Sequence, residues 1–241
     1  MEDILGCHAD AVSRQPTGRG VTPPAQRRSK ETLERILVAT ERLLDGRAFA
    51  EISVLEICTE ADVSASSFYA RFASKEVLLE VLHQRHLDTR RGHVDLVAAE
   101  LGQVPLPIED LVRLAFSDYL DRHAGDAPLL QTLRQAEIDN PALADRRRAL
   151  DRYTVELVAD GIMPRILGAD GGTRSRVVFA TRACAATIQD AIHPPFAFAK
   201  DMVLDRDATL REIVRMWLRY VFSEDPVVPE MVPPSGSGPA A

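Results

Sequence analysis

The sequence has little cysteine and no long apolar run, and each scarcity excludes a class of protein. Its three cysteines, Cys7, Cys58 and Cys184, lie far apart without a C-x-x-C pair. This pattern is unlike a disulfide-stabilised secreted domain or a zinc ribbon. No apolar stretch approaches the ~18 residues that a membrane span needs, and the N-terminus lacks the basic start and apolar core of a signal peptide. We therefore expect reduced thiols in a cytoplasmic protein.

The sequence also lacks the motifs of common catalytic sites. It contains no G-x-S-x-G, H-E-x-x-H, P-loop or G-x-G-x-x-G, the motifs that signal a nucleophile elbow, a zinc protease or a phosphate cradle. Glu80, His83 and His86 recur every third residue of a predicted helix, but a solvated helix face explains them more simply than a metal site. We expect no catalytic residue, no metal and no cofactor.

Charge is distributed unevenly along the chain. The formal net charge is −7, which is unlike a protein that coats nucleic acid non-specifically. Residues 11–30 carry five basic residues and no acidic one, whereas residues 92–241 carry 16 basic and 22 acidic residues. This arrangement suits a small basic end that meets phosphate and a larger end that does not.

No strand-length alternation of apolar and polar residues is present, so the fold class is predicted to be all-α. Apolar residues recur at helical spacing between Gly, Pro and Asn breaks. Residues 1–26 and 224–241 lack such a pattern and are expected to be a disordered basic arm and a disordered tail. Helices are predicted over 29–45, from 54, over 65–72, from 75 to 93 or beyond, around 111–120, from 129, from 141, over 173–192 and over 207–222, with a loop at 171–172.

Residues 53–82 hold the most informative pattern. Ser53 followed by Glu56 fits a capping box at the start of a short helix. Asp62 interrupts that helix and tolerates the left-handed conformation of a tight turn, and Ser64 can cap a second short helix. A short helix, a turn and a second short helix form the unit that sets its second helix in the DNA major groove.

Residues 27 to about 82, under a quarter of the chain, resemble the DNA-binding domain of the tetracycline-repressor (TetR) family of bacterial transcription regulators. The family usually has glycine where this chain has Ala48 and Asp62, although Asp62 can still make the turn. The residues that carry the resemblance are Phe49, Ser53-Val54-x-x-Ile57, Ala61-x-Val63-Ser64, Phe68-Tyr69-x-x-Phe72 and Ser74-Lys75-Glu76-x-Leu78.

The resemblance implies an N-terminal three-helix DNA-binding domain with a helix-turn-helix over 27–82. A larger helical ligand-binding and dimerisation domain is then expected over 83–223. The implied function is that of a ligand-responsive regulator, a repressor that binds a palindromic double-stranded DNA operator as a homodimer. Its effector is expected to be a small molecule of unknown identity, and no membrane partner is expected.

The expected DNA contacts fall into three groups. The family's recognition-helix positions correspond to Ser64, Ala65, Ser66, Ser67, Tyr69, Ala70 and Arg71. Arg71, the long donor among them, is expected to contact guanine, or else a phosphate or a surface carboxylate. Tyr69 is expected to reach phosphate or to pack at the edge of the core. Ser53 and Lys75 lie at helix N-termini that favour phosphate, the alternatives being capping and a solvated charge, and the basic arm supplies Arg27, Arg28 and Lys30.

The C-terminal half offers candidates for a ligand pocket and a dimer interface. The pocket candidates, each with an ordinary core or surface role as its alternative, are Phe116, Tyr119, Tyr153, Phe179, Arg182 and Gln189. Small residues let helices approach closely, and a large aromatic residue is typical of interfaces. Ala183, Ala186 and Trp217 are therefore the interface candidates, and packing within one subunit is the alternative.

Two other functions remain open from the sequence. The larger domain could be an all-helical enzyme tethered to DNA, although the missing catalytic motifs argue against it. The protein could also be a ligand-independent redox sensor that uses Cys58 or Cys184. Cys58 lies on the apolar stripe of its helix, so we expect it to be inert.

Overall fold

The computed structural model describes residues 24–192 and 205–223, apart from the side chains of 24–27, 101–103 and 192. The described residues form α-helices and two short 3-10 helices without a β-strand, which confirms the all-α prediction. The α-helices are α1 (Pro24–Leu43), α2 (Val54–Glu60), α3 (Ala65–Tyr69), α4 (Lys75–Gln103), α5 (Ile108–Gly125), α6 (Ala127–Asp139), α7 (Pro141–Ile162), α8 (Gly171–Ile192) and α9 (Arg206–Phe222).

Helices α1 to α3 and the first turns of α4 enclose the N-terminal core. Phe68 of α3 and Phe72 just after it are buried, with their ring centroids 5.1 Å apart. The turn between α2 and α3 depends on Asp62, whose φ of 51° lies in the left-handed region, as the sequence predicted. Gly46, with a φ of 80°, supplies a left-handed residue after α1.

Helix α4 is continuous across the domain boundary that the sequence predicted between residues 82 and 83. Its first turns place Leu78 and Leu82 in the N-terminal core, and its remainder packs mainly against α7. A movement of α4 against α7 therefore also moves the surface on which the helix-turn-helix is built.

The C-terminal bundle is formed by α5, α7, α8 and α9. Its core lies mainly between α8 and α9, where Cys184, Ile188 and Trp217 are buried. The indole of Trp217 donates from Nε1 to Oγ1 of Thr181 at 3.0 Å. This hydrogen bond satisfies the one polar atom of a large side chain that is otherwise enclosed by apolar groups.

Helices α1 and α8 both begin earlier than the sequence predicted. Helix α1 begins at Pro24, so residues 24–26 are not part of an irregular arm; proline fits a first helical turn because its missing N–H needs no partner there. Helix α8 begins at Gly171 instead of following a loop, because Asp170 accepts hydrogen bonds from the backbone and hydroxyl of Thr173. The rest of the arm, 1–23, and the tail, 224–241, lie outside the described residues.

Candidate nucleic-acid interface and ligand cavity

The outer face of α3 is exposed and carries small polar groups. Its N-terminus is capped by Ser64, whose hydroxyl accepts from the backbone N–H of Ser67 at 3.1 Å. Tyr69 is 57% exposed, and its ring meets the edge of Phe68 at a centroid distance of 5.3 Å. The remaining exposed candidate contacts on this face are Ala65, Ser66 and Ala70.

Arg71 is folded back over α3 and is only partly exposed. Its Nη1 donates to the carbonyl of Ser67 at 2.8 Å, and its Nη2 lies 3.4 Å from the hydroxyl of Ser29 on α1. Its Nε is buried and has no hydrogen-bond partner among the described residues. Arg71 must therefore leave the Ser67 carbonyl before it can place both terminal nitrogens on a base.

Ser53 and Lys75 both make bonds within the N-terminal domain. Ser53 and Glu56 form the predicted capping box, with Glu56 Oε2 accepting from the Ser53 backbone at 2.7 Å. Lys75 donates from Nζ to the carbonyls of Phe49 at 2.6 Å and Ile52 at 2.7 Å. Lys75 is therefore not a solvated charge, because its ammonium ties α4 to the segment before α2, and its phosphate contact stays a prediction.

The basic residues of α1 are available at the surface as far as they are described. Arg28 and Lys30 are exposed. The side chain of Arg27 lies outside the described part. Two of the five basic residues in the segment 11–30 are thus exposed on the first turns of α1.

A cavity of about 1050 Å³ lies in the C-terminal bundle between α4, α5, α7 and α8, with Trp217 of α9 at one wall. Its lining is mostly apolar and includes Val94, Val112, Phe116 and Val158. The volume matches the upper end of small-molecule sites, which are typically apolar with a few placed polar groups.

Two sets of hydrogen-bonded polar side chains line this cavity. Asp151 accepts from Arg90 of α4 and from Arg147 of its own helix, each at 2.7 Å. His93 donates from Nε2 to Asp118 at 2.7 Å. Burial raises the pKa of Asp118, but the bond from His93 and the nearby Arg122 charge outweigh it and leave that pKa below its ordinary value.

Five of the six predicted pocket residues line the cavity: Phe116, Tyr119, Tyr153, Arg182 and Gln189. Gln189 donates to the hydroxyl of Tyr119 at 2.5 Å and accepts from Arg134 at 3.3 Å. The prediction for Phe179 is wrong, because its side chain does not line the cavity and is 57% exposed. The sequence reasoning missed Arg90, Arg147 and Asp151, whose meeting depends on the packing of α4 against α7.

Residues 36–82 match the family model described as "Bacterial regulatory proteins, tetR family". Residues 36–82 therefore form a DNA-binding domain of the TetR family. The chain is a DNA-binding transcriptional regulator and not an enzyme. No curated protein sequence matches the chain.

Two solved structures share the fold of this chain. A TetR-family transcriptional regulator from Mesorhizobium loti is 14% identical, with a TM-score of 0.66 over 80% of this chain and 96% of that one. GusR from Salmonella enterica is 18% identical, with a TM-score of 0.55 over 84% of this chain and 99% of that one. At these identities the likeness concerns the fold.

The predicted interface residues of the regulator occupy different surroundings. Trp217 is 1% exposed and hydrogen-bonded inside its own subunit, so its assignment as an interface anchor is wrong. Ala183 is half-buried, and Ala186 is exposed at the rim of the cavity. The exposed aromatic pair of this region is instead Phe179 and Tyr220, with ring centroids 5.1 Å apart.

The two described cysteines of the regulator are poorly placed for redox sensing. Cys58 is 2% exposed and Cys184 is 0% exposed. Burial raises the pKa of both thiols, that of Cys184 to about 12. The reactive form of cysteine is the thiolate, so burial makes both thiols unreactive.

Residues 24–192 and 205–223 contain no group of three or more His, Cys, Asp or Glu side chains suited to a metal ion. Within the same residues, no helix combines the length and the apolar character needed to cross a bilayer.

Proposed function

We propose that this regulator is a ligand-responsive repressor that acts in the cytoplasm and binds a palindromic operator as a homodimer. Residues 27–82 serve as the DNA-binding domain and residues 83–223 as the ligand-binding and dimerisation domain. The observation that carries the proposal is the continuity of α4. One end of this helix supplies Leu82 to the N-terminal core, and further turns supply Arg90 and His93 to the cavity.

A chain of buried and half-buried charges joins the cavity to the DNA-binding domain. Arg90 and Arg147 share Asp151 in the cavity wall. Arg147 also donates to Glu137 of α6 at 2.7 Å, and Glu137 accepts from His83 of α4 at 3.1 Å. A ligand that disturbs the Asp151 end changes what holds α4 against α6 and α7, and its effect equals its difference in affinity between the two arrangements.

The dimer is proposed to form through the outer faces of α8 and α9. Phe179 of α8 lies against Tyr220 of α9, and Met216 is exposed one turn before Tyr220. Ala183 lies one turn from Phe179 on the same face of α8, where a small residue permits close approach. Exposed aromatic side chains with methionine have the composition of an interface core, and a two-fold axis lets one patch meet its own copy.

The dimer presents two α3 helices to successive major grooves, roughly 34–36 Å apart. Ser64, Ser66 and Ser67 offer hydroxyls, and Ala65 and Ala70 offer methyl groups for thymine. Arg71 is proposed to exchange the Ser67 carbonyl for a base edge, Tyr69 to donate to phosphate, and Ser53 to bind phosphate through its helix N-terminus. Arg27, Arg28 and Lys30 add contacts to the phosphate backbone.

Selection of binding sites from random DNA tests the proposal, followed by transcription in vitro from a template with the selected site across the promoter. The expected site is palindromic with half-sites one helical turn apart. The protein should lower transcription, and the molecule recovered from it by native mass spectrometry should restore it. A non-palindromic site bound by a monomer, or transcription that the recovered molecule leaves unchanged, would contradict the proposal.

A further inference from the structure

The charges around the cavity are not balanced. The lining contains four carboxylates, Asp95, Asp118, Asp151 and Asp160. Each is already a hydrogen-bond acceptor inside the subunit. The donors are Tyr153 for Asp95, His93 for Asp118, Arg90 and Arg147 for Asp151, and Arg174 for Asp160.

The arginines of the lining divide into two groups. Arg90 and Arg147 bind Asp151, Arg148 binds Asp145 at 2.6 Å, and Arg165 donates to the carbonyl of Val104 at 3.0 Å. Arg152 and Arg182 also line the cavity; both are exposed, and neither makes a hydrogen bond or ion pair with the described residues.

Helix packing brings these two arginines to the same region. Helices α7 and α8 are joined by a short connection, and Arg174 near the start of α8 bonds Asp160 near the end of α7. The two helices therefore run antiparallel. Arg152 precedes Asp160 by eight residues on α7, and Arg182 follows Arg174 by eight residues on α8. Arg152 therefore lies opposite the turn of α8 that contains Arg182.

The rest of the wall is apolar. Val155 and Val158 of α7, Ala185 of α8 and Phe116 of α5 line the same cavity. A ligand that fills it must bury apolar surface for most of its length and has unpaired positive charge to meet at one place. A charge-assisted bond from a guanidinium to an oxyanion is about twice as strong as a neutral hydrogen bond.

We propose that the effector of this cavity is an amphiphilic organic anion, an apolar molecule that ends in a carboxylate held by Arg152 and Arg182. The inference rests on the proposed function, since it names the ligand class of the same site. A neutral apolar molecule offers these guanidiniums no charged acceptor and leaves them to water, and an amphiphilic cation meets like charge.

Three probes of equal chain length test the ligand class: decanoate, decanamide and decylammonium, each below its aggregation concentration. Trp217, the chain's one tryptophan, lies at the cavity wall and reports binding by its fluorescence. We expect decanoate to bind about tenfold or more tightly than decanamide, as the loss of a charged hydrogen bond implies, and decylammonium to bind most weakly.

Variants assign the preference to the two arginines. The double variant Arg152→Gln with Arg182→Gln should lose the tenfold advantage of decanoate and keep its affinity for decanamide. Arg146→Gln is the matched control, because Arg146 is exposed on α7 outside the cavity lining and should leave every affinity unchanged. A double variant that still prefers decanoate would overturn the assignment.

Operator affinity, measured in parallel, separates this inference from the proposed function. If decanamide binds as tightly as decanoate and releases DNA, the proposed ligand class is wrong, but the cavity is still the effector site. A preference for decanoate without any change in operator affinity supports the ligand class and overturns the effector role. Absence of binding by all three probes overturns the ligand class, and the effector role is then judged with the molecule recovered by native mass spectrometry.

Discussion

His83 of α4 donates from Nε2 to Oε1 of Glu137 on α6 at 3.1 Å, and both side chains are at least nine-tenths buried. Glu137 accepts from Arg147 of α7 through its second oxygen at 2.7 Å. One carboxylate therefore holds together three helices at the junction between the helix-turn-helix and the cavity. Burial raises the pKa of Glu137, but the bonds from His83 and Arg147 outweigh it and lower that pKa below its ordinary value.

Replacement of Glu137 by leucine should lower the free energy of unfolding by about 3 kcal/mol, because it leaves the buried His83 without its acceptor and Arg147 with Asp151 alone. Urea unfolding followed by circular dichroism measures the loss. Glu109→Leu is the matched control, because Glu109 is 56% exposed in a surface pair with Arg113 and such pairs contribute about 0.3–0.5 kcal/mol. Equal losses in the two variants would show that Glu137 does not join the helices.

Replacement of Lys75 by alanine should lower the free energy of unfolding by about 1–3 kcal/mol, because the carbonyls of Phe49 and Ile52 lose a charged donor. Lys30→Ala, at an exposed position of α1, should leave stability unchanged. Urea midpoints compare the two. If Lys75→Ala keeps full stability and weakens DNA binding alone, Lys75 contacts phosphate as the sequence predicted.

The fold and the helix-turn-helix could be predicted from local signals, since each depends on a few neighbouring residues. The capping box of Ser53 and Glu56 and the left-handed turn at Asp62 both follow from the chemistry of single side chains. The predicted start of α8 comes two residues too late, because its cap, Asp170, precedes two glycines that suggest a loop.

The ligand and dimer sites could be predicted only in part, because they depend on how distant helices pack. Asp151 and Arg90 are 61 positions apart in sequence and meet only in the bundle. The sequence predicts Trp217 at the dimer interface and Phe179 in the ligand pocket. It shows that both side chains are large and aromatic, but not which face of its helix each one occupies. The exposure of Phe179 and the burial of Trp217 became evident only in the packed structure.

The capping box predicts a pH dependence with a definite sign. Bonds from the Ser53 backbone and hydroxyl, then from Arg47, lower the pKa of Glu56 from 4.5 to about 2. The carboxylate therefore contributes stability above pH 4.5, and this contribution is lost as the pH falls towards 2. Urea midpoints of wild type and Glu56→Gln should converge over that interval. A difference in urea midpoint between the two proteins that stays constant down to pH 2 would show that the Glu56 charge does not contribute to stability.

Ser53→Ala tests the same capping box without changing its charge. The expected loss is about 0.5–2 kcal/mol of unfolding free energy, since α2 loses the acceptor for the Glu56 backbone N–H. Ser175→Ala is the control, because the Ser175 hydroxyl bonds only the carbonyl one turn before it on the exposed face of α8. Equal stability of Ser53→Ala and wild type would mean that the cap is dispensable.

Phe179→Arg should convert the proposed dimer to a monomer and leave the helical circular dichroism spectrum intact. Phe179 and Tyr220 are exposed in the single subunit, so a charge there does not disturb the subunit core but enters the proposed interface. Sedimentation velocity at low micromolar concentration measures the change. Ile138→Arg, at an apolar position of α6 that is 74% exposed, should remain dimeric. A dimeric Phe179→Arg variant would move the interface to another face.

Thermodynamic linkage tests the central claim, that occupation of the cavity controls DNA binding through α4. The measurement is the affinity of decanoate or decanamide, whichever binds more tightly, for the free protein and for its complex with the selected operator. We predict that the probe binds the operator complex more weakly than the free protein. The factor should equal that by which the probe weakens operator binding, because coupling between two sites is reciprocal. Equal affinity of the probe for the free protein and the operator complex would contradict it.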